Sequence, residues 1–373
     1  MSSFIPTSFD FLFLSTPVGP LGSGMGGGVE LTITNIAIAL IRQGHRVTIV
    51  APTNSRVVLD EHSHHLTVVE IPGTLQTTVQ HQGREASILI PDHSVIAKMW
   101  DYARSVQHDY HVLVNFAYDW LPFYLTPWFD RPVAHLISMG SLTHAMDSII
   151  ETVNTRFPET LAVHSHTQAA TFANSDRWPR LRNGLDLSLY TFQPNCPPAS
   201  EASLAWIGRI SPEKGLEDTI AAIHRCPLTL QIFGTIENVV YWQDIQETYP
   251  TANICYNGFL STHDLQAALG QCKGLVMTPK WVEAFGNVAI EAMACGVPVI
   301  SYRRGGPAEI IQHGKTGWLV EPDDVGGLSM AIAQLDQIDR YACRQQVEQD
   351  YSLSAMGDRV LSWLTDVWET YSS

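Results

Sequence analysis

Positive charge is scarce in this chain. Only five of its 373 residues are lysine, lysine and arginine together number 22, and acidic residues number 37, which gives a net charge of −15. No run rich in lysine or arginine occurs anywhere. Such a surface repels polyanions, so we expect neither nucleic acid nor a stable membrane association. Any phosphate group that this protein binds must be held by a few well-placed cations.

Long apolar runs and paired cysteines are missing as well. No stretch of about 18 uncharged apolar residues occurs, which predicts that no transmembrane helix is present. The apolar run 11–14 follows Asp10 and no lysine or arginine precedes Arg42, so the run predicts a strand rather than a secretory signal. The six cysteines are widely spaced without a C-x-x-C pair, which argues against a zinc cage or a disulfide framework. We therefore expect a cytoplasmic protein.

Hydrophobic residues, by contrast, make up 45% of the sequence, and they come in short runs that alternate with amphipathic segments. Before residue 188 the runs predict a helix over 29–43 and strands at 11–15, 46–50, 66–71, 112–116, 133–137 and 161–163. After residue 202 they predict a mostly helical tail over 326–371, helices over 216–224, 262–271, 286–294 and 308–312, and strands at 204–207, 228–233, 254–256, 275–278 and 298–302. This alternation predicts parallel sheets covered by helices on both faces.

A stretch rich in proline and small polar residues interrupts the alternation between residues 188 and 202. We interpret it as a linker. The predicted organisation is therefore an α/β chain with a Rossmann-like domain over 1–187, the linker, a second Rossmann-like domain over 203–350, and a terminal helix over 351–373. Ligands of such sheets bind beyond the carboxyl ends of the strands, so a cleft between the two domains is the predicted site.

A glycine-rich segment follows the first predicted strand. Gly22, Gly24 and Gly27 fit the G-x-G-x-x-G dinucleotide fingerprint. However, they begin about seven residues after the strand, and the next strand runs into residues 51–54 without the acid that would hold a ribose. This context argues against a nicotinamide-dependent oxidoreductase. The glycines at 26–28 would still let backbone amides approach an anion at the start of a helix, with a flexible turn as the alternative.

Two further segments place charged residues where strands give way to helices. Gly208-Arg209 and Lys214 form a G-R-x4-K pattern whose two cations could neutralise a diphosphate, with a solvated surface pair as the alternative. Glu283 precedes a predicted helix and Glu291 lies on it. Carboxylates accept hydrogen bonds from sugar hydroxyls, and a helix start attracts phosphate, although each acid taken alone is also typical of a surface.

These segments in this order, followed by the runs at 296–300, 305–309 and 317–320, resemble family 4 of the retaining glycosyltransferases. The resemblance covers nearly the whole chain and is strongest from Trp206 to Asp323. It implies the GT-B architecture, in which two Rossmann-like domains face a central cleft and the C-terminal one holds a nucleotide-sugar. It also implies that a last helix, here within 361–371, returns to the N-terminal domain.

The resemblance assigns roles to single residues. Arg209, Lys214 and Glu283 would carry catalysis, the two cations by holding the donor diphosphate and the departing UDP, and Glu283 by contacting the hexose. Glu291 would hold the ribose hydroxyls. The resemblance also implies other donor-binding residues. They are Gly208 next to Arg209, Phe259 and Leu260 beside the base, Ala284, Phe285, Gly286 and Asn287 at the helix start, and Gly27, Gly28 and Ser138 from the first domain.

Neither a metal nor a protein nucleophile is implied. The family generally retains configuration by stabilising charge on the sugar and on the leaving diphosphate. No D-x-D triplet occurs, so we expect no metal and no cofactor other than the donor substrate, UDP-glucose. Many family members have a histidine near the position of Ser138. His135 lies three residues earlier within a strand, so we expect it to point the other way and to be packed.

The acceptor is indicated by a narrower resemblance. The runs 13–22, 115–121 and 277–291 are similar to those of cyanobacterial UDP-glucose:tetrahydrobiopterin glucosyltransferases, which implies a reduced pterin as the acceptor. Asp119 could bind the guanidine-like edge of a pterin, and Lys280 and Trp281 could add a platform for a sugar or a ring, with structural packing as the alternative. A lipid or glycan acceptor is the alternative. The aromatic residues that could sandwich the ring, or simply pack around a strand–helix junction, are Phe116, Tyr118, Trp120, Phe123, Tyr124, Trp128 and Phe129.

Overall fold

The computed structural model describes residues 6–57, 63–195, 198, 202–224 and 226–371. The chain divides into two compact units, one formed by residues 1–184 and 353–373 and the other by residues 185–352. Within the described residues, each unit contains one six-stranded sheet, and all the paired strands run parallel. The prediction of two α/β domains with parallel sheets is thereby confirmed.

The strands are β1 Asp10–Leu14, β2 Arg46–Pro52, β3 Leu66–Ile71, β4 Val112–Asn115, β5 Val133–Leu136, β6 Leu161–Ala162, β7 Ser203–Ile207, β8 Thr229–Phe233, β9 Ile254–Tyr256, β10 Gly274–Met277, β11 Val299–Tyr302 and β12 Gly317–Val320. The helices are α1 Gly28–Arg42, α2 Val95–Val106, α3 Trp120–Leu125, α4 His144–Arg156, α5 His166–Ala169, α6 Leu216–Ile223, α7 Val239–Thr248, α8 Thr262–Gly270, α9 Asn287–Ala294, α10 Pro307–Ile310, α11 Val325–Ala333, α12 Arg340–Asp350 and α13 Leu353–Tyr371. Both sheets thus follow the predicted alternation.

The first unit has the strand order β3-β2-β1-β4-β5-β6. β1 lies in the middle, and its apolar residues supply both faces because side chains alternate along a strand. Phe11 and Phe13 pack into a core with α1 and α13, whereas Leu12 and Leu14 pack into a second core with α2. A continuous apolar run is therefore what this position requires.

The last helix belongs to the first unit. α13 packs along α1, and Met356, Val360 and Trp363 are buried in the same core as β1. The indole nitrogen of Trp363 donates to the carbonyl oxygen of Glu159 at 3.0 Å. Gly357 permits the close approach of the two helices, since a Cβ there would lie 3.1 Å from the Cβ of Ala39.

The second unit has the strand order β12-β11-β10-β7-β8-β9. Leu204 and Trp206 of β7 are buried in a core that α6 and α11 cover, while α9 lies against β10 and β11. β12 was not predicted as a strand, because its four residues begin with Gly317-Trp318 and have no apolar neighbour before them. Gly317 is required there, since a Cβ would lie 1.9 Å from the carbonyl oxygen of Val299.

The boundary between the units falls between residues 184 and 185, before the predicted linker. The described part of that stretch is attached to the second unit. The amide of Thr191 donates to Gln266 at 3.0 Å, the amide of Gln193 donates to the carbonyl of Cys295 at 3.0 Å, and Arg340 donates to the carbonyl of Gln193 at 2.7 Å. Residues 196, 197 and 199–201 of the predicted linker lie outside the described residues.

Candidate active site

Three strand ends meet at one edge of the second sheet. The amide of Gly208, after β7, donates to the carbonyl of Phe233 at 3.0 Å, and the amide of Gly234, after β8, donates to the carbonyl of Gly258 at 2.8 Å. Phe259 follows Gly258 and has 62% of its surface exposed. Gly208 and the loop that carries Phe259 and Leu260 therefore lie at the same edge of the sheet, on either side of Gly234.

A tight turn positions Lys214. Residues 212–214 form one turn of 3-10 helix, which ends at Gly215 with φ +65°. A Cβ at Gly215 would lie 2.1 Å from the carbonyl oxygen of Thr278, so only glycine fits this approach. The hydroxyl of Thr278 donates to the carbonyl of Gly215 at 2.7 Å. The turn therefore fixes Lys214 next to the carboxyl end of β10, the neighbour of β7 in the sheet.

The Lys214 ammonium contacts Glu283, which lies in the loop between β10 and α9. Their Nζ and Oε2 atoms are 2.6 Å apart, and both side chains are about one-fifth exposed. Trp281 completes the group, because its indole nitrogen donates to the same Oε2 at 3.0 Å and its ring centroid lies 5.0 Å from Nζ. Two predicted catalytic residues, 69 positions apart, are thus brought into direct contact.

The Arg209 guanidinium is also paired with carboxylates. Its Nη1 donates to both oxygens of Glu237, at 2.8 and 2.9 Å, and its Nη2 lies 3.7 Å from Oε1 of Glu213. Glu213 precedes Lys214, so the two cations lie on neighbouring parts of one surface. Each of the two cations is therefore paired with a carboxylate, Arg209 with Glu237 and Lys214 with Glu283.

The loop of Glu283 is held from behind by two glycines. The amide of Gly306 donates to the carbonyl of Glu283 at 2.7 Å. A Cβ at Gly305 would lie 2.6 Å from the amide nitrogen of Glu283, and one at Gly306 would lie 2.3 Å from the carbonyl oxygen of Phe285. The predicted donor residues Ala284, Phe285, Gly286 and Asn287 therefore run closely past this glycine pair into α9, which begins at Asn287.

Glu291 lies on α9 and is buried, with 8% of its surface exposed. Burial raises the pKa of its carboxyl to about 7, and a hydrogen bond from Tyr190 opposes part of that rise. The Tyr190 hydroxyl donates to Oε1 at 3.2 Å. A buried carboxylate with one donor has oxygen lone pairs left for further donors, such as a pair of sugar hydroxyls.

In the first unit, the glycine-rich loop already surrounds an anion of its own. The carboxylate of Glu30, in the first turn of α1, accepts hydrogen bonds from the amides of Gly22, Gly24 and Gly26 at 2.8, 3.1 and 2.5 Å. The expectation that this loop offers its amides to a bound anion is therefore corrected for Gly26. Gly27, the residue before α1, and Gly28, the first residue of α1, keep their predicted roles as predictions.

Ser138 and His135 lie at the end of β5, in different surroundings. Ser138 follows β5 in a half-buried loop. His135 is fully buried, stacks on Phe123 with ring centroids 4.3 Å apart, and contacts the hydroxyl of Thr126 at 2.8 Å. Burial lowers the pKa of His135 to about 3. The prediction that His135 is a packed residue is confirmed, whereas the sugar contact of Ser138 stays a prediction.

Most of the aromatic residues proposed to hold an acceptor are packed. Phe116, Tyr118 and Phe123 are buried and Phe129 packs on Trp100, which leaves three of the set on the surface of α3 and the turn after it. Trp120 and Tyr124 stack there with centroids 4.6 Å apart, and Trp128 is 60% exposed. Asp119 caps α3 by accepting from the amide of Leu121 at 3.0 Å, and burial raises its pKa.

Lys280 has a structural role in the second unit. Its ammonium contacts Asp218 and lies 3.1 Å from Asp323, which Arg304 also binds at 2.9 Å. Its amide donates to the carbonyl of Glu213 at 2.8 Å. These contacts hold the segment that leads into Trp281, so Lys280 supports the site through its neighbours.

Sequence reasoning missed Tyr190 and Glu237. Tyr190 lies in the stretch interpreted as a linker, where prolines hid its attachment to α9. Glu237 follows β8 in a loop, and an acid just after a strand end is the signal that could have indicated it.

Among residues for which the structure gives positions, no group of three or more His, Cys, Asp or Glu side chains could hold a metal. In that same part of the chain, no helix is long and apolar enough to cross a bilayer.

The fold defined by these two units is that of GT-B glycosyltransferases. Sucrose-phosphate synthase from Thermosynechococcus elongatus superimposes with a TM-score of 0.78 at 20% identity, over 97% of this chain and 100% of that one. HepE from Anabaena, solved in complex with UDP and glucose, superimposes with a TM-score of 0.74 at 19% identity, over 96% and 100% of the two chains.

Sequence comparison agrees for the second unit. Residues 192–349 match the family model of the glycosyl transferases group 1. Glycogen synthase of Mycobacterium tuberculosis is 33% identical over 159 residues, which are 41% of this chain and 38% of that protein. The chain therefore spans well under two thirds of the curated relative's length. Arg209, Lys214, Glu283 and Glu291 all lie within the matched segment.

Proposed function

We propose that this protein is a retaining glycosyltransferase of family 4 that moves glucose from UDP-glucose to a hydroxyl of a small acceptor. The observation that carries the proposal is the contact between Lys214 and Glu283 beside Arg209, at the carboxyl edge of a parallel sheet. The chain has only 22 lysine and arginine residues against 37 acidic ones, and ligands of doubly wound sheets bind at this edge. The match of this segment to the glycosyl transferases group 1 supports the same reading.

In the proposed reaction, the donor diphosphate replaces the carboxylates on the two cations. Lys214 leaves Glu283 and Arg209 leaves Glu237, so that both stabilise the negative charge that grows on the departing UDP. Glu283, still held by the indole of Trp281, then contacts hydroxyls of the hexose. Glu291 accepts from the ribose hydroxyls.

The bond from the anomeric carbon to the phosphate oxygen breaks while a bond to the acceptor oxygen forms on the same face of the sugar. The acceptor proton passes to the leaving phosphate oxygen, so that no protein base is needed. The charge on the diphosphate is balanced by side chains, and we expect turnover without an added divalent metal.

For the acceptor we propose a reduced pterin of the tetrahydrobiopterin type. The surface formed by Trp120, Tyr124 and Trp128 supports this, because aromatic faces stack on planar rings. The partly buried carboxylate of Asp119 next to them suits a ring edge that donates hydrogen bonds.

The test is a UDP-release assay with UDP-glucose and tetrahydrobiopterin, run with and without a chelator. We expect UDP release that depends on the pterin and survives chelation, and a product whose anomeric configuration, read by NMR, is that of the donor. Turnover on a glycan or lipid acceptor but not on the pterin would overturn the acceptor and keep the transferase. An absence of any sugar transfer, with binding of UDP-glucose also absent, would overturn the proposed function.

A further inference from the structure

We infer that Tyr190 is a positioning residue for the nucleotide, which orients the Glu291 carboxylate and keeps it ready to accept the ribose hydroxyls. The inference rests on the proposed function of this site. It assigns a specificity role to a residue in a stretch whose sequence suggests only a linker.

The contact between the two side chains is buried and direct. The Tyr190 hydroxyl donates to Oε1 of Glu291 at 3.2 Å, and 4% and 8% of the two residues are exposed. A phenol has one proton to donate, so this contact fixes the orientation of the carboxylate and leaves the other oxygen for further donors. Burying both polar groups without a partner would be costly, which makes the pair a defined arrangement.

The backbone around Tyr190 is tied to the end of α9. Arg344 of α12 donates through Nη1 to the carbonyl of Tyr190 at 3.0 Å and to the carbonyl of Ala294 at 2.8 Å. The amide of Gln193 donates to the carbonyl of Cys295 at 3.0 Å. Because one arginine bridges the two segments, the hydroxyl of Tyr190 cannot drift from the helix that carries Glu291.

Ionisation of the carboxylate gives the inference a measurable signature. Burial raises the pKa of Glu291 to about 7, and the hydrogen bond from Tyr190 lowers it toward that value from a higher one. Ribose hydroxyls donate to the ionised form, so donor affinity should rise with pH. Other titratable or charged groups lie on the elements that pack around Tyr190 and Glu291. They are Cys295 after α9, Asp186 near Tyr190, Arg340 and Arg344 of α12, Tyr302 of β11, the exposed His263 and Asp264 of α8, and the exposed Glu309 of α10.

The experiment measures UDP-glucose affinity by calorimetry from about pH 5.5 to about pH 8.5, without acceptor. UDP-glucose is chosen because its diphosphate carries no proton that titrates in this range. Losing one hydrogen bond to the charged form should move the midpoint of Tyr190→Phe up by about one pH unit. With a midpoint near 7 in the wild type, affinity should fall about fivefold at pH 7 and less than about 1.5-fold at pH 8.5.

Two further variants fix the interpretation. Glu291→Gln should abolish the pH dependence, and adding Tyr190→Phe to it should then change nothing, because the tyrosine acts through the carboxylate. Tyr341→Phe, an exposed tyrosine of the same unit, should match the wild type at every pH. If Tyr190→Phe alone lowers stability, the comparison of the double variant with Glu291→Gln still tests the inference.

A Tyr190→Phe profile equal to the wild type, or lowered equally at all pH values, would overturn the inference while leaving the proposed function intact. An additional loss when Tyr190→Phe is placed in the Glu291→Gln background would overturn it too. A wild-type protein that does not bind UDP-glucose at any pH would overturn the proposed function itself.

Discussion

Replacing Lys214 by alanine is the sharpest single perturbation of the site. The ammonium lies 2.6 Å from Glu283 and is about one-fifth exposed, so its charge is only partly screened by water. At about 4 Å and an effective dielectric of about 20, one unit charge acting on another is worth about 4 kcal/mol. Discounted for the exposed fraction, we expect Lys214→Ala to lose about 3 kcal/mol of transition-state stabilisation.

A loss of that size lowers kcat/KM about a hundredfold. It also leaves the carboxylate of Glu283 without its cation, next to the diphosphate. The assay is UDP release at subsaturating UDP-glucose. The matched control is Lys273→Ala, because Lys273 is similarly buried in the same unit and pairs with Asp336 at 2.8 Å away from the site. Activity of Lys214→Ala within about twofold of Lys273→Ala would refute the role of the ammonium.

The remaining predictions concern the carboxylates of Glu237, Glu30 and Glu291. Glu237→Gln should tighten UDP-glucose binding about fivefold in calorimetry, because it removes a carboxylate that competes for Arg209 in an ion pair worth about 1 kcal/mol. The control Glu321→Gln, which removes an acid from an exposed ion pair, should leave the affinity unchanged. Weaker binding by Glu237→Gln would contradict this prediction. Glu30→Gln should lower the free energy of unfolding by about 2 kcal/mol in urea, because an amide cannot accept from all three loop amides, and unchanged stability would show that the loop does not need the carboxylate. Burial raises the pKa of Glu291 from its ordinary value of 4.5 to about 7 in the folded state, so its contribution to stability is full below pH 4.5 and is lost as pH rises through 7. The free energy of unfolding of Glu291→Gln should therefore rise by up to about 3 kcal/mol relative to wild type between about pH 5 and about pH 8. A difference that stays constant with pH would exclude the raised pKa.

The strands could be predicted because buried parallel strands are short apolar runs, but their ends could not. The apolar runs predict strands that include Phe116 and Ile137, whereas β4 ends at Asn115 and β5 at Leu136. Both side chains stay buried beyond the last strand residue, and the amides of Phe116 and Ile137 still donate to the carbonyls of Leu14 and Ala162 at 3.1 and 2.9 Å. The apolar run and the last inter-strand hydrogen bond both pass the final strand residue, so the run alone does not locate the strand end to within one residue.

The site residues were predicted as a set, and their contacts were not. Lys214 and Glu283 are neighbours because β7 and β10 lie side by side, which brings the loops after them together. Strand order is a property of the whole sheet, so no local pattern contains it. The same holds for Tyr190, whose partner lies 101 residues away on α9.

The prediction that the Gly26 amide is open to a bound anion is wrong because of the acid in the helix that follows. An acid in the first turn of a helix stabilises the helix dipole, and Glu30 occupies that position. Its length lets it reach back to the preceding amides, which the glycine spacing alone does not reveal. The glycine-rich loop is thus ordered by a carboxylate of its own chain.

Calorimetric titration of the protein with UDP, without divalent metal, tests whether Arg209 and Lys214 hold the diphosphate of the donor. We expect saturable binding of UDP that weakens as salt is raised from about 50 to about 500 mM, because Arg209 and Lys214 are partly exposed cations. The same titration with Lys214→Ala should show binding weakened at least tenfold, about 1.4 kcal/mol. No measurable affinity of the wild type for UDP would contradict the proposal that Arg209 and Lys214 hold the donor diphosphate.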